Sequence, residues 1–198
     1  IEQFMLEANE TVARHCVKRK LPALYRVHQP PSDLKLQQLK KTLAHYGVNP
    51  KTVSLSDSYG FSRILSHLKE LPQFEALQVV LLRSMALAVY QTRNGGHFGL
   101  AAEFYTHFTS PIRRYPDLMV HRALKKELSS RNQKKSSRKR NIQQKHGEEI
   151  DGELALKCSQ KERNAEKAEL QSMDLMKCVF LEPHIGVDFQ SIIRSLDS

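Results

Sequence analysis

The sequence predicts a mostly α-helical protein with a few short β-strands, an α+β fold class. Apolar residues repeat with helical spacing over several long segments, whereas each candidate strand covers only a few residues. Apolar residues make up 40% of the 198 residues, which is enough to bury a core. No apolar run approaches the ~20 residues of a membrane span, so we expect no membrane partner.

The first half of the chain is predicted to contain four helices and one strand. Ser32 provides an N-cap for the second helix, and Gly47 is a fitting stop for it. The Asn-Gly-Gly run at 94–96 breaks the fourth helix. The predicted elements are a helix from 1 to about 18, a strand over 23–27, and helices over 33–46, 61–68 and 73–91.

The second half is predicted to contain two helices separated by a basic connection. The predicted elements are an extended stretch over 97–104, a loop over 105–110, a helix over about 116–128, a mobile loop or frayed helix end over 129–147, a helix over 149–180 and a strand over 186–196. Ile1 starts a helix without a preceding cap, and a lone terminal strand forms no stable sheet. We therefore expect this chain to be a piece of a longer one.

Charge and cysteine content restrict the partners and the compartment. Lys and Arg outnumber Asp and Glu by 31 to 21, and the pI is about 9.6. This balance favours a polyanionic partner, of which nucleic acid is the commonest. The three cysteines form no Cys-x-x-Cys pair, which disfavours a zinc ribbon or a disulfide framework and fits a reducing cytoplasm.

Residues 105–117 contain the highest density of side chains that could bind a ligand or take part in catalysis. Thr109 and Ser110 precede a possible helix start at Pro111, and helix N-termini bind phosphate through free N–H groups. The neighbouring Arg113 and Arg114 can clamp phosphate oxygens and stabilise the charge that develops during phosphoryl transfer. The segment therefore predicts a phosphate site.

Aromatic and imidazole side chains surround these arginines in the sequence. Tyr105 can stack on an unpaired base. His97 and His107 can line an RNA channel, or they can simply cap the loop. The competing structural interpretation of the whole segment is a capped helix with a salt bridge between Arg114 and Asp117.

Residues 105–122 resemble the signature of the RNase II/RNase R (RNB) exoribonucleases. Other segments of the chain resemble that family in the same order, and the spellings HFGL and YRVH favour its bacterial RNase R branch. The resemblance covers nearly the whole chain. The matching segments are 1–9, 25–28 with Pro31, 97–101, and Cys158-Ser159 with Glu162-Arg163 and then Asp174.

The resemblance implies processive, metal-dependent hydrolysis of single-stranded or structured RNA from its 3′ end, with release of nucleoside 5′-monophosphates. It implies that residues 1–182 are the C-terminal part of an RNB catalytic domain, and that 183–198 begin an OB-fold RNA-binding domain. By position, Arg113 is implied to stabilise the scissile phosphate, with Arg114 as the second choice. Glu2 matches a glutamate at the RNA 3′ end, although Gln3 stands where the family often has a second one.

In the family, Mg²⁺ is held by aspartates that precede this region. Hard cations need several converging carboxylates, and the aspartates of this chain are too dispersed to form that cluster. The acids at 148–153 are better explained as the first turn of a helix. We expect no metal ligands in this chain, which would then be inactive without the remainder of its polypeptide.

Two other functions remain open from the sequence. One is a non-catalytic basic RNA-binding or interaction protein on the same scaffold, and the other is an unrelated helical regulator with a basic loop. The basic run is usually a solvated loop, with nonspecific phosphate attraction as a second interpretation. Its members are Arg131, Lys134, Lys135, Arg138, Lys139 and Arg140.

Overall fold

The computed structural model describes residues 1–48, 55, 57–135 and 150–190, with the backbone alone for 132–135. Two compact units are present, residues 1–158 and 159–198. The predicted fold class, mostly α with a few short strands, is confirmed. The elements are α1 Glu2–Arg19, β1 Tyr25–Val27, α2 Asp33–His45, α3 Ser58–Leu68, α4 Phe74–Ser84, β2 Val89–Gln91, α5 Tyr115–Lys135 and α6 Gly152–Leu181, with 3-10 turns at Phe98–Leu100 and Glu182–His184.

The helix predicted over 73–91 is wrong in its second half. Helix α4 ends at Ser84, and Val89–Gln91 form β2, which pairs antiparallel with β1. Hydrophobic periodicity does not separate the two elements because the whole run is apolar. A β-branched and an aromatic residue suit a strand, and β1 supplies the hydrogen bonds that a distant partner must provide.

Residues 97–104 form a tight turn where an extended stretch was predicted. The N–H of His97 donates to the carbonyl of Ala102 at 2.8 Å, which folds the 3-10 turn Phe98–Leu100 back on itself. Gly96 enters this turn with φ at +73°, a left-handed conformation that glycine adopts without steric penalty.

The two long helices were predicted with shifted ends. Helix α5 continues to Lys135, beyond the predicted end near 128, and the rest of the predicted basic loop lies outside the described residues. Helix α6 agrees with its prediction within three residues. Residues 187–190 of the predicted terminal strand have no strand structure, and 191–196 lie outside the described residues.

Three apolar clusters hold the first unit together. Helices α2, α3 and α4 form one of them, with Leu43, Leu68 and Leu77 fully buried. Burial of such a side chain contributes about 1.5–3 kcal/mol. The other two clusters lie around β1, where residues of α1 and α5 join one and Ala155 of α6 joins the other. Strand β1 is therefore the central element of the region that carries the motif residues.

None of the helices in the described ranges has the length and apolar character needed to cross a lipid bilayer.

Candidate functional site

The motif segment is fixed to β1 by backbone and side-chain hydrogen bonds. The N–H of Arg26 donates to the carbonyl of Tyr105 at 3.0 Å. The buried hydroxyl of Thr106 donates to the carbonyl of Leu24 at 2.6 Å. The segment thus lies beside β1 almost as a third strand, which a loop prediction from its sequence did not reveal.

A buried amide on α1 holds the same segment from the other side. Asn9 donates through Nδ2 to the hydroxyl of Tyr105 at 3.2 Å and accepts through Oδ1 from the N–H of Phe108 at 3.0 Å. The sequence carried a signal for this role, since Asn9 stands at helical spacing from Met5 and Ala13 on the apolar side of α1. Sequence reasoning did not single it out.

Helix α5 contacts the far end of the segment. The ring of His121 stacks on that of Phe108 with centroids 4.0 Å apart, and its Nε2 donates to the carbonyl of Phe108 at 2.9 Å. The segment is thereby held from α1, β1 and α5.

Three predicted RNA-binding residues come together in one ring cluster. The ring centroid of Tyr105 lies 5.1 Å from that of His97 and 5.8 Å from that of His107. Tyr90 of β2 joins the cluster, with its hydroxyl 2.9 Å from Nδ1 of His107. Because Tyr105 is only 5% exposed, stacking of a base on its ring would require this packing to open.

The imidazoles of this cluster are neutral at neutral pH. Burial lowers the pKa of His107 to about 3, and the positive charges of Arg114, Arg26 and Arg113 add to that effect. Burial also lowers the pKa of His97 to about 4, together with His28 and Arg26. The positive charge of the site therefore resides on guanidinium groups.

Arg26 of β1 is a member of this site that lies outside the motif segment. Its guanidinium lies over the ring of Tyr90, 4.8 Å from the centroid, in a cation–π arrangement. Its N–H also donates to the carbonyl of Tyr105, and its positive charge, like those of Arg113 and Arg114, contributes to lowering the pKa of His107. Nothing in the sequence links residue 26 to residues 113 and 114, because the link is the pairing of β1 with the motif segment.

The possible helix start at Pro111 is not formed. Helix α5 begins at Tyr115, and the carbonyl of Ser110 instead accepts from the N–H groups of Arg113 and Arg114 at 3.3 and 3.0 Å, closing a turn. The carboxylate of Asp117 accepts from the N–H of Ser110 at 2.8 Å. The alternative salt bridge is present, with Nη2 of Arg114 2.8 Å from Oδ1 of Asp117.

The two arginines differ in their surroundings. Arg113 is exposed, whereas the side chain of Arg114 is 25% exposed and that of Asp117 is fully buried. Among the described residues, three buried atoms have no hydrogen-bond partner: Nε of Arg114, Oδ2 of Asp117 and Nδ1 of His97. Buried polar atoms of this kind are rare in proteins and call for a functional or structural explanation.

The remaining predicted site residues lie at the edges of this arrangement. Thr109 and Ser110 are partly buried beside the turn. Glu2 is exposed in the first turn of α1, two helical turns before Asn9, and no hydrogen bond or ion pair within the described residues joins it to the cluster. Over the same described ranges, no group of three His, Cys, Asp or Glu side chains could hold a metal ion.

Comparison with known proteins identifies the family of this arrangement. Residues 1–130 match the RNB domain. The chain belongs to the RNB family. Its RNB sequence is 40% identical to Ribonuclease R of Aquifex aeolicus, covering 99% of this chain and 26% of that protein. It is 38% identical to Ribonuclease R of Escherichia coli, covering 99% of this chain and 24% of that protein.

Solved structures resemble the RNB chain as well. RNase R of Mycoplasma genitalium in complex with ribose-methylated single-stranded RNA is similar with a TM-score of 0.79 and 31% identity, over 100% of this chain and 30% of that one. The apo form of the same protein gives a TM-score of 0.83 with 30% identity. The chain spans about a quarter of the length of the curated relatives it matches.

Proposed function

We propose that this RNB chain is part of a processive 3′→5′ exoribonuclease of the RNase R type. Its substrate would be single-stranded or structured RNA, and its products nucleoside 5′-monophosphates. The observation that carries this proposal is the position of the motif segment beside β1. Arg26 lies over the ring of Tyr90, whose hydroxyl is 2.9 Å from Nδ1 of His107, and Arg113 and Arg114 lie on the turn that follows His107 in the chain. An RNA phosphodiester supplies the anion that such a site attracts. The similarity to an RNase R solved with single-stranded RNA supports the same substrate.

Arg113 is the residue that we propose to act on the scissile phosphate. It is exposed and lies on a turn that hydrogen bonds hold in place, so its guanidinium can meet the phosphate oxygens without reorganisation of the backbone. We propose that the surrounding residues form the RNA-binding surface, with the buried Tyr105 and the paired Arg114 supporting it from within the protein. They are Arg114, Tyr105, His107, Thr109, Ser110, His97 and Glu2.

Mg²⁺ would supply Lewis-acid chemistry and an activated water in such a hydrolysis. The acidic side chains in the described ranges do not converge on a cation site. We therefore propose that the metal ligands come from another part of the polypeptide, which is then a required partner of this chain. We also propose that residues 183–198 begin an OB-fold RNA-binding domain and that the protein works in the cytoplasm, where its three free cysteines would stay reduced.

The test compares full-length protein with and without the Arg113→Ala change, in Mg²⁺ with poly(A). The unaltered protein should release nucleoside monophosphates from the 3′ end. Arg113→Ala should lower kcat about a hundredfold or more and change RNA affinity much less, because the guanidinium acts mainly on charge that develops in the transition state. Arg83→Ala is the matched control, since Arg83 is an exposed arginine in the last turn of α4.

The isolated 198-residue chain provides a second arm of the test. It should release no monophosphates under the same conditions, and robust degradation by it would contradict the proposed external metal ligands. If the full-length protein binds RNA without releasing any nucleotide, the non-catalytic RNA-binding function is supported instead.

A further inference from the structure

A single buried carboxylate fixes both ends of the turn that carries the arginine pair. Oδ1 of Asp117 accepts from the N–H of Ser110 and from Nη2 of Arg114, each at 2.8 Å. Within the turn, the carbonyl of Ser110 accepts from the N–H groups of Arg113 and Arg114. Asp117 comes from the first turn of α5, so the helix start and the turn form one hydrogen-bonded structure.

Because this carboxylate pairs with only one of the two adjacent arginines, the charge of Arg114 is compensated more than that of Arg113. The guanidinium of Arg114 is paired with Asp117, and much of its charge is compensated at 2.8 Å. Arg113 is exposed, and within the described residues it makes no side-chain hydrogen bond or ion pair. Of the two, Arg113 therefore presents the less compensated positive charge.

We propose that Asp117 is a positioning residue that holds Arg114 within the protein and thereby directs Arg113 to the RNA phosphate. This inference rests on the proposed function. Two buried atoms of the pair, Nε of Arg114 and Oδ2 of Asp117, have no hydrogen-bond partner among the residues that the structure describes, which calls for an explanation beyond ordinary packing.

Two substitutions of Asp117 in the full-length protein separate its hydrogen bond to Ser110 from its charge pairing with Arg114. Asp117→Ala removes both hydrogen bonds, while Asp117→Asn keeps an oxygen for the N–H of Ser110 and removes the charge that pairs with Arg114. We expect Asp117→Ala to lower kcat by about ten- to a hundredfold through misplacement of Arg113, with a much smaller change in KM. Asp117→Asn should recover part of that loss.

A double-mutant cycle with Arg113→Ala decides whether Asp117 acts through Arg113. If it does, combining Asp117→Ala with Arg113→Ala should lower kcat no further than Arg113→Ala alone, within about threefold. If the two reductions multiply, the positioning role is overturned. A thermal unfolding curve and the RNA affinity of each variant will show whether that variant folds. If Asp117→Ala does not fold, the same cycle is run with Asp117→Asn.

The control is Glu153→Gln, which removes an exposed carboxylate from an ion pair with Lys157 at the start of α6. It should leave kcat unchanged. An unaltered protein that releases no nucleotide overturns the proposed function, and this inference with it. Normal kcat in both Asp117 variants, alongside a strong loss in Arg113→Ala, overturns only the role of Asp117.

Discussion

Acid sensitivity of the folded state should depend on His107. Burial lowers its pKa in the folded protein to about 3, compared with about 6.5 for an exposed imidazole. Because the pKa of His107 is lower in the folded protein, between pH 6.5 and 3 its imidazole is protonated in the unfolded chain and neutral in the folded one. The stability that His107 contributes is fully present above pH 6.5 and is lost as pH falls from there towards 3.

The size of this loss follows from the proton affinity of the unfolded chain. At pH 5 an unfolded imidazole with a pKa of about 6.5 is almost fully protonated, whereas His107 in the folded protein is not. The free energy of unfolding should then fall by roughly 2 kcal/mol between pH 7.5 and 5 for this residue. His97, with a folded pKa of about 4, adds a loss of roughly the same size. The figure at pH 5 is insensitive to the folded value, since both folded pKa values lie below 5.

Urea unfolding at pH 7.5 and pH 5 measures the difference directly. His107→Asn places a side-chain oxygen near the position of Nδ1, so a partner for the hydroxyl of Tyr90 is retained while the titrating group is lost. The unaltered protein should lose roughly 2 kcal/mol more than His107→Asn over this pH range. His45→Asn, at the exposed end of α2, is the control for replacement of an imidazole. Parallel pH dependence in the unaltered protein and His107→Asn would refute the reasoning.

Three further changes test the packing around the site. Asn9→Ala should lower the free energy of unfolding by about 2–4 kcal/mol in urea titrations, because two buried groups lose their partner; a change under about 0.5 kcal/mol would contradict this. Cys16 should react with iodoacetamide at pH 8 more than about tenfold slower than exposed Cys178, because burial and then the charge of Glu127 raise the pKa of Cys16 to about 11; equal rates would show that the thiol is accessible. Gly99→Ala places a Cβ 2.9 Å from Nδ1 of His28 and should lower the thermal midpoint, and an unchanged midpoint would show that the turn can shift freely.

Local patterns in the sequence were sufficient for most of the helices. The helical periodicity of α1 and the ends of α2 are decided within a few residues of each other. Ser32 occupies the N-cap position of α2 as predicted, although its side chain makes no capping hydrogen bond. Strand β2 could not be found this way, because Val89 to Gln91 become a strand only in the presence of β1, more than sixty residues earlier. A long-range partner overrides local propensity in such short apolar segments.

The residues of the candidate site also fall into two groups, those that the sequence predicted and those that only the fold reveals. Arg113, Arg114 and the salt bridge to Asp117 lie within five residues, and the sequence predicted their proximity. The contributions of Arg26 and Asn9 could not be predicted, because each reaches the motif through contacts across about 80–100 residues of chain. Residue type indicated the chemistry of the motif, whereas the fold supplied its neighbours.

The hydrogen bonds of Asn9 also bear on how the chain is made. Asn9 and its partner Tyr105 are 96 residues apart, and His15 and its partner Glu127 are 112 apart. At about 5–20 residues per second, the ribosome adds the intervening segment in roughly 5–20 s. During this interval α1 can pack on the nearby Ala23, Tyr25 and Val27, but its contacts with the motif segment and α5 form only after that segment has been made.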